Sequence, residues 1–392
     1  MSTRRIKQYF AVFLFALAAA AIVWIAAAGP VTVYRTVVYN FSGIEDYHIF
    51  PQHRLTAAAE PFRFREGNGK WNIPTVVSFG SRRDVPLSEL LPATDTVAFL
   101  VVKDDAIIFE KYNANFDRAT PSLSFSIAKS ILSILVGCAI ADGYLKSIDQ
   151  PVTDFVPELK SKGFVPVTLK HLLQMTSGID YAENDFPFGI HVRFYYTNRL
   201  EQEILNLRLR ERPGTRFIYK SGDVLLLTLA LKRALGGKSI TQYMQERLWY
   251  PLGMEYGGAW SIDHAPDGLE KTSCCLAATA RDFAKFGRLY LNKGMWDGRL
   301  IIPEVWVRES TRIDMTDGSA WNYQRLWWLV ARDRSDFMAN GHLGQFLYVN
   351  PSAGVIIVRL GRSMGGLNRE EWTQVFMSLS DGIQRRSAGR ET

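Results

Sequence analysis

One stretch, "PSLSFSIAKSILSILVG" (Pro121–Gly137), constrains the fold most, because it sets a single lysine, Lys129, in an otherwise apolar helical pattern. Ile127, Ile131, Ile134 and Cys138 recur at the spacing of one helical face, and Leu132, Leu135, Val136 and Ala139 widen that face almost all round. Such a helix belongs at the centre of a domain. Ser126 caps or opens it, and Gly143 suits its end. A serine and a lysine three residues apart stand on one face, so their heads can meet. Burial lowers the pKa of a lysine, and a neutral Lys129 can take the Ser126 proton while the helix N-terminus favours negative charge. The competing reading is a lysine stem lying on apolar surface with its amine in water.

The chain is long enough, at 392 residues with 47% hydrophobic, to bury a large core in one large or two modest domains. Its formal charge of +7 is partly carried by its ends, Arg4, Arg5 and Lys7 before the first apolar run and Arg385, Arg386 and Arg390 in the tail. No basic stripe with interleaved aromatics is present, so nucleic acid is not an expected partner. Of the cysteines, Cys138 sits in the apolar helix and Cys274 and Cys275 are adjacent, which predicts no structural disulfide.

Between Phe10 and Ala28 the sequence is uncharged and long enough for a bilayer, longer than the usual core of a signal peptide. Residues 1–29 are therefore expected to form an uncleaved membrane anchor. The basic flank ahead of it predicts a single-pass protein of the cytoplasmic (inner) membrane with its remainder on the outer, periplasmic side. Cleavage after Ala26-Ala27-Ala28 and export is the alternative. Residues 30–60 read as a stem.

"TVAFLVV" and "AIIFEKY" read as a β-hairpin, as do "FLYVN" and "VIIVRL" late in the chain. "NREEWTQVFMSLSDGI" reads as a helix with Asn368 and Glu371 as a capping box and Trp372, Phe376, Leu379 and Ile383 on one face. Strands at both ends and helices between predict an α/β (α+β) domain over 60–392, with an antiparallel sheet built from both chain ends, flanked by helices, and a mostly helical region inserted at roughly 130–320.

Tyr219 and Ser221 precede a second long apolar helix, and His342-Leu343-Gly344 opens a strand, where Gly344 lets backbone approach a ligand and the Gln345 N–H can face an oxyanion. In their order, Ser126-Ile127-Ala128-Lys129, Tyr219-Lys220-Ser221 and His342-Leu343-Gly344 resemble the three motifs of the serine β-lactamase-related hydrolases, which share the fold of penicillin-binding proteins. The likeness is closest to the branch of class C β-lactamases, D-aminopeptidases, family VIII esterases and 6-aminohexanoate-dimer hydrolase, and spans roughly residues 60 to 385. "VTLKHLLQMTSGIDY", "LWYPLGM" and "ATARDFAKFGRLYL" add to it.

The resemblance implies a β-lactamase/transpeptidase-like fold, with Ser126 as acylated nucleophile, Lys129 as its base partner and Tyr219 as shared acid/base. Ser221 stands where the family usually has Asn, and His342 where it usually has Lys. A histidine, mostly neutral near pH 7, holds a substrate carboxylate less dependably than lysine, which favours an amide or ester over a β-lactam. Tyr181, with Asp180 and Glu183, is expected at the cleft because that loop lines it in relatives; a solvated turn is the competing reading. His171 and Asp282 read as structural, and Trp321, Trp327 and Trp328 as core, with an aromatic binding wall as the competing reading.

No Gly-x-Ser-x-Gly elbow occurs, so an α/β-hydrolase triad is not expected; the histidines lack metal-ligand spacing and "GGKS" lacks the first glycine of a P-loop, so the activity is expected to need neither metal nor cofactor. The expected activity is hydrolysis of a small-molecule or short-peptide substrate through an acyl-enzyme. A D-amino-acid peptidase or weak β-lactamase acting on cell-wall-like substrates, and a non-catalytic cell-wall peptide or partner-binding protein, are the alternatives.

Overall fold

The computed structural model describes residues 3–67 and 73–388; Arg390 and the end of the expected domain lie outside them. Its main elements are α1 (Thr3–Ala28), α2 (Pro30–Tyr39), β1 (Thr96–Lys103), β2 (Ala106–Tyr112), α3 (Ile127–Ala141), α4 (Ile190–Tyr196), α5 (Ser221–Ala234), α6 (Ala280–Leu291), β3 (Phe337–Gly341), β4 (Gln345–Asn350), β5 (Val355–Gly361) and α7 (Arg369–Ala388).

β3, β4, β5, β1 and β2 lie side by side in that order in an 8-stranded sheet, extended beyond β3 by Trp327–Leu329 and Tyr323–Gln324 and beyond β2 by Arg65–Glu66. Only the Arg65–Glu66 pairing is parallel. The chain ends meet where β5 pairs β1, with Ile357 opposite Val101. Side chains alternate across β1. Phe99 and Val101 face α7, whose Trp372, Val375, Phe376, Leu379 and Ile383 cover one side; Leu100 and Val102 join the larger cluster with α3 and α6 on the other. A sheet apolar on both faces needs helices on both, which is why α3 is buried from Ile127 to Ala139. The α7 capping box forms, with Glu371 N–H donating to Asn368 Oδ1 at 3.0 Å and Asn368 N–H to Glu371 Oε2 at 2.9 Å.

One expectation changes. Residues 30–60 are not a stem: α2 packs on α4, and Gln52–Leu55 pairs with Gly258–Ser261 in a 4-stranded sheet completed by Leu276–Ala278 and Ser122–Leu123. The signal was hidden because the inner face of α2 carries Thr32 and Thr36, not hydrocarbon, and because strands this short leave no alternation to read. As for the anchor, among the described residues no single helix is long and apolar enough to cross a membrane. Ile22–Ala28 and Pro30–Tyr39 reach that only as a pair, bent by 109°.

Candidate active site

Ser126 opens α3, and it alone between Ser122 and Ala139 is not buried. The residue before it, Phe125, has φ +43°, a left-handed conformation that costs a non-glycine residue on the order of 1–3 kcal/mol and turns the chain sharply into the helix. The Ser126 hydroxyl makes no capping bond. It lies 2.7 Å from Lys129 Nζ, which also donates to the Ser273 carbonyl at 2.7 Å. Burial lowers the Lys129 pKa to about 8, against an opposing pull from the Glu183 carboxylate. Lys129 is therefore a group that can gain and lose a proton near neutrality.

Tyr219 closes the other side of Ser126. Its pKa is raised by burial and by Glu183 and pulled back by a hydrogen bond with Ser126. Its ring stacks on Trp328 at 5.6 Å, and Lys129 Nζ stands 5.1 Å from its centroid. Ser221, at the first turn of α5, donates from its N–H (2.6 Å) and hydroxyl (2.7 Å) to the two oxygens of Glu183. A carboxylate at a helix N-terminus is favourably placed. Tyr181 is buried and its hydroxyl is 3.1 Å from His191 Nδ1. Gly222 permits that approach, since a Cβ there would lie 2.7 Å from the Tyr181 ring.

His342 and Leu343 line the same cavity as Ser126, Tyr181, Glu183, Tyr219 and Ser221, a space of about 1000 Å³. Burial lowers the His342 pKa, which favours neutral imidazole. Gln345 is not at the cavity. It is fully buried, its amide donating to the carbonyls of His342 (3.1 Å) and Gly361 (2.7 Å). Gly344 sits behind it, its carbonyl bound by Arg359 at 2.5 Å. The backbone that reaches Ser126 belongs to Gly341, where an added Cβ would lie 3.1 Å from the Ser126 nitrogen and 2.5 Å from the Ser124 oxygen.

Trp328 lines the cavity, the alternative to its core reading, while Trp327 is fully buried. The sequence reading missed His191, Arg369 and the Asn40–Ser42 segment, which also line it; they come from distant parts of the chain and carry no local signal. Asp180 stays outside that wall, whereas His171 and Asp282 do structural work, the first in a capping box with Thr168 and the second accepting from the Glu255 and Tyr256 N–H groups. The expectation of no disulfide is corrected: Cys274 and Cys275 are bonded to each other. Spacing arguments look for partners distant along the chain, so a bond between neighbours escapes them. Among the described residues no cluster of metal-ligating side chains is found.

The β-lactamase family profile matches residues 90–376, so the chain belongs to that family; it is a β-lactamase-related serine hydrolase. It is 29% identical over 296 residues, 70% of this chain and 74% of the relative, to the 6-aminohexanoate-dimer hydrolase of Paenarthrobacter ureafaciens. It is 31% identical over 179 residues, 41% and 45% of the two chains, to a β-lactamase of Escherichia coli strain K12. A Bacillus anthracis structure provisionally assigned as a 6-aminohexanoate-dimer hydrolase superposes with TM-score 0.77 at 22% identity, covering 89% of this chain and 94% of that one. A family VIII carboxylesterase superposes with TM-score 0.55 at 16% identity over 73% and 92%.

Proposed function

We propose that this protein cleaves an ester or amide through an acyl-enzyme on Ser126. The observation that carries this is the buried Lys129 amine 2.7 Å from the Ser126 hydroxyl, with its pKa lowered to about 8. Neutral Lys129 takes the Ser126 proton as Oγ attacks the substrate carbonyl carbon, so a C–O bond forms and the carbonyl becomes an oxyanion. Backbone N–H groups of Ser126 and of the Gly341–His342 segment face that oxygen. The oxyanion then collapses, the bond to the leaving group breaks, and Tyr219 and Lys129 relay the proton to the departing oxygen or nitrogen. Water repeats the sequence on the acyl-enzyme and releases the acid. No metal or cofactor enters the scheme.

A neutral His342 in place of a lysine favours esters and amides over β-lactams, which is in keeping with a 6-aminohexanoate-dimer hydrolase and a family VIII carboxylesterase among the similar proteins. The basic residues before the Phe10–Ala28 run favour an exported catalytic domain held at the membrane by α1; a reporter fused after Thr392 that is active only when exported supports this, and a cytoplasmic signal refutes it. The chemistry is tested by intact-mass analysis with a fluorophosphonate, followed by a panel of p-nitrophenyl esters, D-amino-acid amides and nitrocefin. Wild type gains one phosphonyl group and turns over esters or amides; equal labelling of Ser126→Ala refutes the nucleophile.

A further inference from the structure

The first two helices bring apolar surface to the edge of the catalytic cavity. In α1, Val12, Phe13, Leu14 and Phe15 are consecutive and all exposed, so they point round the whole circumference, and the run from Phe10 to Ala28 holds no charge. Apart from Trp24 and Ala28, which the fold covers, the described side chains of this uncharged run are exposed, and an exposed apolar run calls for an apolar surrounding, which a bilayer supplies. The uncharged part of α1, from Phe10 to Ala28, is about 28 Å long against roughly 30 Å of hydrocarbon, and α1 reaches the apolarity of a span only together with α2. α2 leaves it at 109° and so runs across the α1 axis, near the plane of such a bilayer. It is two-faced: Thr32 and Thr36 are buried against the protein, while Tyr34, Val37 and Val38 are exposed together on the far side.

The cavity opens beside this platform. Its wall includes Thr36, Asn40, Phe41 and Ser42 from α2 and the turn after it, and Asn184, Asp185 and Pro187 from a loop whose Phe186 and Phe188 are exposed. That loop touches α1, where the Trp24 and Phe188 rings are 4.7 Å apart. Val192, Phe194, Leu225 and Met364 continue an apolar lining inward toward Ser126.

We propose that the protein draws its substrate from a lipid bilayer: an amphiphilic ester or amide whose acyl chain passes between the end of α2 and the Asn184–Phe188 loop. This rests on the acyl-enzyme reading above and adds the substrate class. The test uses the full chain reconstituted in vesicles of phosphatidylethanolamine and phosphatidylglycerol, with p-nitrophenyl dodecanoate in the bilayer and p-nitrophenyl acetate as the soluble reference. Val37→Asp/Val38→Asp puts charge on the outer face of α2, away from the cavity wall. Wild type hydrolyses both esters. The double variant loses about tenfold or more on the bilayer-borne dodecanoate and stays within about twofold on acetate, which also reports intact folding. Acetate turnover without dodecanoate turnover, or equal dodecanoate rates for the two proteins, overturns the proposal and leaves the hydrolase reading standing. So does a smaller assembly of the variant in detergent with unchanged dodecanoate turnover, which would assign the face to a second copy. Loss of both activities and of phosphonate labelling in wild type overturns the two readings together.

Discussion

At Lys129, burial and a neighbouring carboxylate pull in opposite directions, and the balance sets when the amine is a base. With its pKa lowered to about 8, the neutral fraction rises with pH. The acylation rate on an activated ester is therefore expected to climb through about pH 8 and level off above it. Glu183 raises that pKa, so Glu183→Gln moves the climbing limb to lower pH; a limb that stays in place argues against their coupling. Arginine keeps the charge at Lys129 but stays protonated at any working pH. Single-turnover acylation by Lys129→Arg is expected to fall by about 10² to 10⁴, as for loss of a general base. A rate within a few fold of wild type would leave Tyr219 as the better base.

Elements set what these side chains can reach. β3 comes to α3 so closely at Gly341 that a methyl group has no room between Ser124 and Ser126. Gly341→Ala must push the strand away from the nucleophile, and displacement of reacting groups by about 1 Å costs on the order of 10²-fold. Slower acylation together with a melt lowered by the equivalent of about 1–3 kcal/mol is the expected result, and an unaltered rate counts against an oxyanion contact in this segment. At α7 the capping box serves stability instead. Asn368→Ala should cost about 1 kcal/mol in denaturant unfolding; because the adjacent Arg369 lines the cavity over Trp328, ester turnover is expected to fall only as far as fraying of this first turn displaces Arg369, and an unchanged unfolding midpoint counts against the cap.

Across the whole molecule, Arg359 on β5 fastens both chain ends to the site. It is fully buried, donates to Thr96 Oγ1 (3.0 Å) and to the carbonyls of Thr94 (2.6 Å), Gly344 (2.5 Å) and Ser363 (3.0 Å), and stacks over Trp372 at 4.1 Å. Arg359→Met fills much of the volume but leaves the buried carbonyls of Thr94 and Gly344 and the half-buried one of Ser363 without that donor. A lower unfolding midpoint, equivalent to about 3 kcal/mol or more, is expected, together with slower turnover as the loop before Gln345 loosens; an unchanged midpoint would mean that water or nearby donors replace the guanidinium. Much of the architecture was legible locally. The β1–β2 and β4–β5 hairpins, the α7 box and the meeting of Ser126 with Lys129 all follow from strand alternation, cap chemistry and helical spacing, which act within a few residues. His191 and Arg369 were missed and Trp328 fell on the wall side of its two readings, because a residue's choice between core and cavity depends on which distant segment packs against it. The same holds for residues 30–60, where α2 buries threonines that no hydrophobic pattern marks. The sequence determined the elements and the Ser126–Lys129 pair, since both are short-range consequences of backbone geometry. Only the tertiary structure decided which strand backs the nucleophile, what walls the cavity and that α2 stands at its mouth, since those contacts join segments far apart along the chain.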